Sequence, residues 1–455
     1  MKNPNRTNAI VLGCIASAII SCAQGQAQDW PQWRGPNRDA RASGFNAPKS
    51  WPKELAQKWK VTVGEGVATP ALVGDKLFVF SRQDGNEILR CLDANTGKEL
   101  WQDKYESLGA SGPAGSFSGP RSSPAVAQGK VVTLGVRAML SCLDAKTGKV
   151  LWRKDDFKAY PNFHPSSSPI IVDGVCIAQL GGRDNGAVVA YDLASGEQKW
   201  KWNGPSPAYA SPVLMTLNGK KVIVAQTEAK LVALNANDGT PAWEGPSAGV
   251  PGGGGPGGGG GPAGGRGRGG GGRDYKAGTP IVDGQTIIIA GSGIKAIKLE
   301  KEGDALVAKE LWTNPELTLN FNTPVLKNGF VFGLTQGNDL FCANAENGKT
   351  AWTAPLSGQN AQAAPAPEGT PPGGGGRGRG GMGRSSGYGS IIDAGSVLLA
   401  LTPSSELLVF EPNSKAYTEI ARIKVASGQT HAHPIPAGQR IFVKDQDSVT
   451  LLTIN

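Results

Sequence analysis

The sequence is poor in the side chains on which many enzyme sites depend. Of its 455 residues only three are histidine and six are cysteine, and no two cysteines are adjacent. Its long glycine runs lack the Lys-Ser/Thr pair of a phosphate-binding loop and do not open a helix. No set of residues matches a catalytic triad. These shortages exclude the common nucleotide-binding motifs and give no support to nucleophilic catalysis.

Long apolar runs are also scarce. The one pronounced run, residues 9–21, is shorter than the ~20 residues that a membrane-spanning helix needs. It follows two basic residues, so residues 1–28 have the pattern of a secretory signal. Small residues favour cleavage after Ala27, whereas the segment 19–22 (Ile-Ile-Ser-Cys) resembles a lipobox that would leave a lipidated Cys22. We expect an exported protein, periplasmic or extracellular, with an outer-membrane lipoprotein as the alternative. Only that lipid anchor would attach it to a membrane.

The positive charge is unevenly distributed. The formal net charge is +9, of which Lys2 and Arg6 contribute +2. Two inserts rich in Gly, Pro and Arg, residues 249–273 and 361–386, contribute +5 through six arginines and Glu368. About +2 remains elsewhere, so we expect no nucleic-acid partner. The inserts are nearly free of apolar side chains and are predicted to be disordered. They would serve as soluble spacers or bind an anionic polymer.

Four cysteines remain outside the leader: Cys91, Cys142, Cys176 and Cys342. An even number in an exported protein suggests disulfides. Three of the four, Cys91, Cys142 and Cys342, however, occupy the same position in different copies of a repeat. Equivalent positions in different repeats should be farther apart than the ~7 Å between Cα atoms that a disulfide allows. We therefore predict buried thiols.

One sequence motif recurs throughout the chain. Residues 92–101 combine a short apolar strand, an Asp-x-x-Thr-Gly turn and a second strand that reaches Trp101. The motif is repeated at 143–152, and weaker copies end at Trp200, Trp243, Trp312 and Trp352. Each unit opens with a small polar residue that usually precedes proline, at Thr69, Ser123, Ser168, Ser211, Thr279, Thr323, Ser390 and His433. Eight units of four short strands predict an all-β, eight-bladed β-propeller.

The two ends of the chain predict how the ring closes. The last unit stops after residues 450–454 and has no outer strand of its own. Trp59 lies eleven residues before Pro70, as Ile423 lies eleven before Pro434, so a strand near Trp59 should complete the last blade. We divide the chain into the leader, an extended arm at 29–58 and the propeller at 59–455. The arm has three tryptophans as predicted anchors, Trp30, Trp33 and Trp51.

The repeated turn resembles the tryptophan-docking motif of the PQQ-like, or quinoprotein, propellers. That superfamily includes quinoprotein alcohol dehydrogenases and a lipoprotein of the bacterial outer-membrane barrel-assembly machinery. The resemblance covers about 59–455 and implies that the motif packs blades together without binding a cofactor. The closest copies supply the predicted docking residues Asp93, Gly97, Trp101, Asp144, Gly148, Trp152, Asp192, Gly196 and Trp200.

The resemblance also implies what a catalytic member would need. Quinoprotein dehydrogenases hold PQQ with two adjacent cysteines, a stacking tryptophan and a calcium ion with carboxylate and Asn ligands, beside a catalytic Asp. This sequence has no adjacent cysteines, and no matching Glu, Asn and Asp set is identifiable. We therefore expect no resident cofactor, with PQQ and calcium only if the chain is a divergent quinoprotein.

In a propeller, the loops before the inner strands surround the mouth of the central channel. The residues three before each opening proline, or before Ile391, are Val67, Arg121, Ser166, Tyr209, Ala277, Phe321, Tyr388 and His431. Asn320 and four further polar residues lie close by in sequence. The predicted ligand-binding set is Arg121, His164, Tyr209, Lys276, Asn322, Tyr388, His431 and His433. The alternative is that these side chains only cap the channel. The three histidines have no carboxylate beside them in sequence, so we predict no metal site.

We expect an exported, non-catalytic binding or scaffold protein of the periplasm or cell envelope. Its partner would be an envelope protein or an extracellular ligand, and the chain would be monomeric. One alternative is a PQQ-dependent alcohol or sugar dehydrogenase. Another is a carbohydrate- or polyanion-binding module. The fold does not choose among them, because propellers of one architecture serve unrelated functions.

Overall fold

The computed structural model describes residues 29–247, 275–303, 305–356 and 388–454. The predicted leader 1–28, with Cys22, and the predicted disordered inserts 249–273 and 361–386 lie outside these ranges. Within them, no helix is long and apolar enough to cross a membrane. Their helical content is a single 3₁₀ turn, Gly112–Ala114.

The described ranges form eight sheets of four antiparallel strands. Each sheet is a blade, and the predicted all-β, eight-bladed propeller is confirmed. Blade 1 comprises β2 Ala71–Val73, β3 Lys76–Gln83, β4 Asn86–Asp93 and β5 Glu99–Glu106, and blade 2 comprises β6 Ala125–Ala127, β7 Lys130–Leu134, β8 Leu140–Asp144 and β9 Val150–Lys154. Blade 3 comprises β10 Ile170–Val172, β11 Val175–Leu180, β12 Gly186–Asp192 and β13 Gln198–Gly204. Blade 4 comprises β14 Val213–Leu217, β15 Lys220–Gln226, β16 Lys230–Asn235 and β17 Pro241–Pro246.

Blades 5 to 8 repeat the arrangement. Blade 5 comprises β18 Ile281–Asp283, β19 Thr286–Ala290, β20 Ile294–Glu302 and β21 Ala305–Asn314, and blade 6 comprises β22 Val325–Lys327, β23 Phe330–Leu334, β24 Asp339–Asn344 and β25 Thr350–Pro355. Blade 7 comprises β26 Ser390–Ala394, β27 Val397–Leu401, β28 Glu406–Phe410 and β29 Glu419–Lys424. Blade 8 comprises β30 Ile435–Ala437, β31 Arg440–Lys444, β32 Ser448–Thr453 and, from nearer the start of the chain, β1 Ala56–Thr62.

The position of a strand in its blade explains its composition. Middle strands are covered by neighbouring blades on both faces, so they are continuous apolar runs; β27 is buried along its whole length. Outer strands face solvent on one side and alternate. In β5, Trp101, Asp103 and Tyr105 are half-buried while the residues between them are exposed.

The ring is closed by the N-terminal strand, as predicted. Strand β1 pairs antiparallel with β32, with Trp59 opposite Leu451. It takes the outermost place in the sheet β1-β32-β31-β30. The first and last described parts of the chain therefore share one blade, and the last blade gains the outer strand that its own sequence lacks.

Alternating strand direction gives the propeller two different faces. The turns between the first and second strands of each blade, and those between the third and fourth, lie on one face, which we call the turn face. The loops that connect one blade to the next lie on the other, which we call the opening face.

The repeated Asp-x-x-Thr-Gly turns join neighbouring blades on the turn face. Asp93 Oδ1 accepts hydrogen bonds from the backbone N–H groups of Asn95 and Thr96 and from the Thr96 hydroxyl, at 2.8–3.1 Å. Gly97 has a φ of +73°, and a Cβ there would lie 2.8 Å from the Trp59 ring. The Trp59 indole N–H donates to Ala94 O at 3.2 Å. A tryptophan of one blade thus packs on the turn of the next.

The same contact recurs around the ring. Trp152 packs on Gly196 and donates to Leu193 O at 3.2 Å, and Trp200 repeats this on blade 4. Trp101 packs on Gly148, but its buried Nε1 has no hydrogen-bond partner among the described residues. The predicted docking residues, with Asp144 and Asp192 in equivalent turns, all lie at such seams.

A belt of hydroxyl groups joins the blades nearer the channel. In six of the blades, the residue before the opening proline uses its backbone N–H to donate to the hydroxyl of its counterpart in the next blade. The pairs are Thr69 to Ser123 (3.1 Å), Ser123 to Ser168 (2.9 Å), Ser168 to Ser211 (2.9 Å), Ser211 to Thr279 (3.4 Å), Thr279 to Thr323 (3.0 Å) and, across the closing seam, His433 to Thr69 (2.9 Å). Ser390, which no proline follows, has a buried hydroxyl without a partner in the described ranges.

Residues 30–46 of the arm enter the centre of the ring from the turn face. Trp30 forms an antiparallel bridge with Leu72 at the start of this passage, and Asn46 N donates to Gly438 O at its end. In between, the arm reaches every blade. Its hydrogen-bond partners include Leu72, Val126, Pro169, Pro212, Thr279, Pro324, Asp393 and Gly438.

Two buried arginines hold the arm in the channel. Arg34 donates to Thr323 O at 3.0 Å and Pro324 O at 2.7 Å. Arg38 donates to the carbonyl groups of blades 3 and 4 at Ser168 (3.1 Å), Pro169 and Pro212 (2.8 Å). Burial lowers the pKa of both guanidinium groups to about 9, so both are charged at neutral pH. Within the described ranges neither is ion-paired, and carbonyl dipoles hold the charge.

The four cysteines outside the leader are buried free thiols. Burial raises the pKa of Cys91, Cys142 and Cys342 to about 12 and that of Cys176 still further. They are therefore thiols rather than thiolates at neutral pH, and act as small core residues.

Alanine substitutions at two glycines can measure the contribution of the docking contact to stability apart from that of backbone strain. Gly196 (φ +73°) and Gly219 (φ +77°) have nearly the same conformation, but an added Cβ would lie 2.6 Å from Trp152 at Gly196 and meet nothing within 4 Å at Gly219. Both Ala variants should lose about 1 kcal/mol through the positive φ, and Gly196→Ala about 1–3 kcal/mol more through overpacking. Urea unfolding of the two variants measures the difference; equal losses would contradict the docking role.

The arm arginines allow a second test, by denaturant titration of Arg38→Met and Arg41→Met. Arg38→Met leaves three buried carbonyl groups without their donor and should cost about 3 kcal/mol. Arg41 is exposed, with only a 3.9 Å ion pair to Asp393, so its variant should change stability by less than about 1 kcal/mol. Similar results for both would show that the arm does not hold the ring together.

Candidate functional site

A blind cavity of about 280 Å³ lies at the centre of the opening face. We call it the cup. The arm closes it from below, so the channel does not pass through the ring. It is lined by Trp33, Val67, Ala114, Ser116, Phe117, Arg121, Phe163, Ser166, Tyr209, Ser211, Tyr275, Ala277, Thr279, Phe321, Tyr388 and His431.

Trp33 of the arm forms the floor of the cup. Its indole N–H donates to Thr279 Oγ1 at 2.9 Å, and its ring centroid lies 4.5 Å from that of His433. Two contacts from different blades thus fix the ring, while part of it remains accessible. The floor is therefore an aromatic surface fixed by the buried arm.

A continuous series of aromatic rings forms much of the wall. Tyr275 and Tyr388 both stack on Phe321, with centroid distances of 5.2 and 4.5 Å and interplanar angles of 27° and 12°. Tyr388 also meets His431 edge to face at 4.9 Å. Phe163 meets Tyr275 in the same way at 5.3 Å. Each ring is held by its neighbours, so the wall is preorganised.

Two long loops complete this wall. The loop before blade 2 carries Phe117, whose ring lies 4.8 Å from that of His431 on blade 8. The loop before blade 3 carries Phe163, whose backbone N–H donates to the Tyr209 hydroxyl oxygen at 3.2 Å. These loops bring side chains from distant parts of the chain to the mouth.

Among the described residues, Arg121 is the only charged side chain that lines the cup. Its Nη2 donates to Ala114 O and Phe117 O, both at 2.8 Å, and its Nη1 donates to Gly119 O at 3.3 Å. Burial lowers its pKa, and the Coulombic influence of nearby Tyr388 and Tyr209 opposes that shift. A guanidinium has five N–H groups, so Nε–H and one Nη1–H have no acceptor among the described residues.

His431 faces the cup as a neutral imidazole. Burial lowers its pKa to about 4, and the positive charge of Lys444 acts in the same direction. Neither ring nitrogen has a hydrogen-bond partner in the described part of the chain. Both nitrogens are themselves buried, so His431 contributes ring carbon surface to the cup. A smaller cavity of about 40 Å³ adjoins it and is lined in part by Glu65 and Asp445.

Four of the eight predicted ligand-binding residues line the cup: Arg121, Tyr209, Tyr388 and His431. All four belong to the set placed three residues before an opening. That spacing works because the inner strands are parallel neighbours around the axis, so equivalent positions reach the same depth.

The other four predicted residues do not line it. His164 is buried between Ser111 N (3.1 Å) and Val136 O (2.9 Å). Asn322 bridges blades 6 and 7 through Leu334 O (3.1 Å) and Gly389 N (2.9 Å). His433 lies behind the floor against Trp33, and the Lys276 amine donates to Glu228 O.

Sequence reasoning missed four aromatic residues of the cup: Trp33, Phe117, Phe163 and Tyr275. Three of them lie in loops between blades, and a search for aromatic residues in those loops would have found them. Tyr275 directly follows the first Gly-rich insert, as Tyr388 closely follows the second. Trp33 had no comparable signal, because nothing local places the arm in the channel.

The residues present do not fit PQQ held by calcium. No group of three His, Cys, Asp or Glu side chains in the described ranges could hold a metal ion, and no carboxylate lines the cup. His431 and His433 flank the floor, but His164 is held elsewhere. Trp33 is a surface on which a flat molecule could stack, and it is the one feature shared with a quinone site.

Comparison with known proteins agrees with the fold. The model of a family described as "Outer membrane protein assembly factor BamB" matches residues 84–255 and 275–369, more than half of the chain. BamB of Burkholderia pseudomallei is 29% identical over 42% of this chain and 46% of that protein. The quinohemoprotein alcohol dehydrogenase of Comamonas testosteroni is 26% identical over 40% of this chain and 27% of that protein. The matches thus span less than half the length of these relatives.

Solved structures are similar in fold. BamB from Moraxella catarrhalis superposes with a TM-score of 0.55 at 15% identity, over 88% of this chain and 99% of that one. The Comamonas testosteroni dehydrogenase superposes with a TM-score of 0.60 at 13% identity, over 95% and 81%. At such identities the likeness shows the architecture alone.

The histidines give the protein a defined pH dependence. Burial lowers the pKa of all three, that of His433 well below its usual value. As the pH falls through ~6.5 the unfolded chain takes up protons that the folded chain does not. Stability should therefore decrease from pH 7 to pH 5. Thermal unfolding should show a shallower decrease for His433→Gln, and an unchanged one for Gly219→Ala; identical slopes for His433→Gln and wild type would contradict the assignment.

Proposed function

Because this chain belongs to the family of PQQ-repeat propellers described as outer membrane protein assembly factor BamB, we propose that it is an exported, non-catalytic binding or scaffold protein of the cell envelope. The observation that carries the proposal is the cup. It is a preorganised, aromatic-walled cavity at the axis of the propeller, and in the part of the chain that the structure describes no carboxylate lines it and no cluster could bind a metal. Such a cavity is suited to binding a ligand rather than to transforming one.

The chemistry of the cup supports the absence of catalysis. A general base works best with a pKa near the working pH, whereas the pKa of His431 is about 4. Burial raises the pKa of Tyr209 and Tyr388, so both hydroxyls stay protonated. Among the residues that line the cup, none is poised to accept a proton at neutral pH.

Export and partners belong to the same proposal. The leader 1–28 would be removed after Ala27, or processed to leave a lipidated Cys22 as in an outer-membrane lipoprotein. The partner would be an envelope protein or an extracellular ligand, and the chain would act as a monomer. Mass spectrometry of the mature N-terminus distinguishes Gln28 from a modified Cys22.

Two other functions have an observation in their favour. The aromatic floor at Trp33 and the similarity to quinohemoprotein alcohol dehydrogenases favour a divergent quinoprotein oxidoreductase. The arginines of the inserts at 249–273 and 361–386, which lead into the cup wall at Tyr275 and Tyr388, favour a carbohydrate- or polyanion-binding module. The lack of carboxylates in the cup places the oxidoreductase second.

Reconstitution separates these functions. The purified protein, incubated with PQQ and Ca²⁺ and supplied with primary alcohols or sugars and an electron-accepting dye, should show no turnover above a protein-free control. Turnover that is lost in Trp33→Ala would overturn the non-catalytic function. Salt-dependent retention on a sulfated matrix would favour the polyanion module instead.

A further inference from the structure

Taking the proposed non-catalytic binding function as the starting point, we propose that the cup binds a small aromatic carboxylate with a single negative charge. Its carboxylate would lie at Arg121 and its ring between the Trp33 floor and the aromatic wall. The inference names the ligand class of the site and rests on three properties of the cup: its charge, the arrangement of its rings and its unpaired polar atoms.

The sign of the charge comes from Arg121. Aromatic walls alone would suit an organic cation, because ring faces attract positive charge. Here a guanidinium lies within the cavity, and no carboxylate is among its described lining residues. Glu87 interacts with Arg121 from behind the wall, but it is buried and accepts hydrogen bonds from Tyr105 and from Val136 N. Glu65 of the adjoining cavity accepts from the Ser118 hydroxyl. Asp445 of the adjoining cavity is already paired with Lys60 at 3.3 Å. Repulsion by Arg121 therefore opposes a cation, and its two N–H groups without acceptors favour a carboxylate.

The number of charges follows from the same residue. One guanidinium compensates one carboxylate. A ligand with three carboxylates, such as PQQ, would place two more in an apolar cavity without a cation, and that desolvation is costly. A second cation among the described residues is absent from the lining. The cup should therefore discriminate against the polyanionic cofactor of the related dehydrogenases.

The flat shape of the ligand follows from the rings. Phe321 stacks with Tyr275 and with Tyr388, residues from the blades on its two sides, so only its edge is available to a ligand. Ring edges carry partial positive charge and attract electron-rich groups. The accessible part of Trp33 supplies the apolar surface for stacking. A flat ring can contact this floor while its anionic end faces Arg121.

An unpaired hydroxyl selects for substituents on the ring. Tyr388 lines the same cavity as Arg121, and its hydroxyl has no hydrogen-bond partner within the described ranges. A hydroxyl or carbonyl group on the ligand would satisfy it. Leaving it unpaired in a filled cup has an energetic cost, so hydroxylated aromatic acids should bind better than unsubstituted ones.

Calorimetric titration of the full-length mature protein tests the ligand class with defined probes. 2-Naphthoate and 6-hydroxy-2-naphthoate should bind, the hydroxy acid more tightly. Neutral 2-naphthamide should bind at least tenfold more weakly, and trimethylphenylammonium should not bind. Tighter binding of the amide or of the cation than of the acid would overturn the proposal. So would equal or tighter binding of glucuronate, which would identify a saccharide site.

Variants test the residues. Arg121→Gln should weaken 2-naphthoate binding at least tenfold and leave 2-naphthamide binding nearly unchanged. Arg41→Gln removes the same charge from an exposed residue on the turn face and should have no effect. Because Arg121 also holds its own loop, Phe321→Leu provides a second variant, which should weaken acid and amide alike. Unchanged acid binding in both variants would exclude the cup as the site.

The ligand class and the proposed non-catalytic function can fail independently of each other. If none of the ring acids binds, the ligand class is wrong, while the non-catalytic role fails only if the reconstituted protein turns over substrate. Calcium-dependent binding of PQQ that is tighter than that of 2-naphthoate would overturn the single-charge argument. It would do so whether or not turnover follows.

Discussion

The structure depends most on how the peptide groups at the centre of the ring find hydrogen-bond partners. Eight inner strands begin around one axis, where water is largely excluded and an unpaired N–H or C=O is costly. The hydroxyl belt satisfies N–H groups from blade to blade, and Arg34 and Arg38 satisfy carbonyl groups in blades 3, 4 and 6. The belt joins consecutive blades and, through His433 and Thr69, the last blade to the first, while the arginines join the arm to three blades, so both devices also hold the ring closed.

The cup is formed by the same segments that satisfy these backbone groups. The arm that supplies the two arginines also supplies Trp33, so the plug of the channel becomes the floor of the site. The loops that lead into the blades carry Arg121, Tyr209, Tyr388 and His431 two positions before the residue that opens each blade. Stability and binding therefore share a short stretch of each blade. Substitutions at the hydroxyl belt should therefore alter the geometry of the cup. Substitutions at the docking turns act on the opposite face of the propeller.

The repeated turn that dominates the sequence proves to be structural. Leu92–Trp101 is the most regular pattern in the chain, and its residues lie at a seam between blades on the turn face, with Gly97 under Trp59. The residues of the cup show no such regularity. A repeat is preserved where each copy meets the same neighbour, whereas each position around the cup meets a different one.

The sequence alone was sufficient for the architecture. Strand alternation, turn glycines and the spacing of the openings are local signals that recur, so eight blades and the closing role of the strand at Trp59 could be predicted. The same spacing predicted Arg121, Tyr209, Tyr388 and His431, which line the cup. His164 and Asn322 were predicted only because they lie near these positions in sequence. They are outside the lining, because backbone groups of other segments hold them. Only the tertiary structure decided the course of the arm, and with it the floor of the cup. The contacts of Trp33 and Arg34 join residues 246 to 290 positions apart. No periodicity encodes contacts between single residues at such a separation.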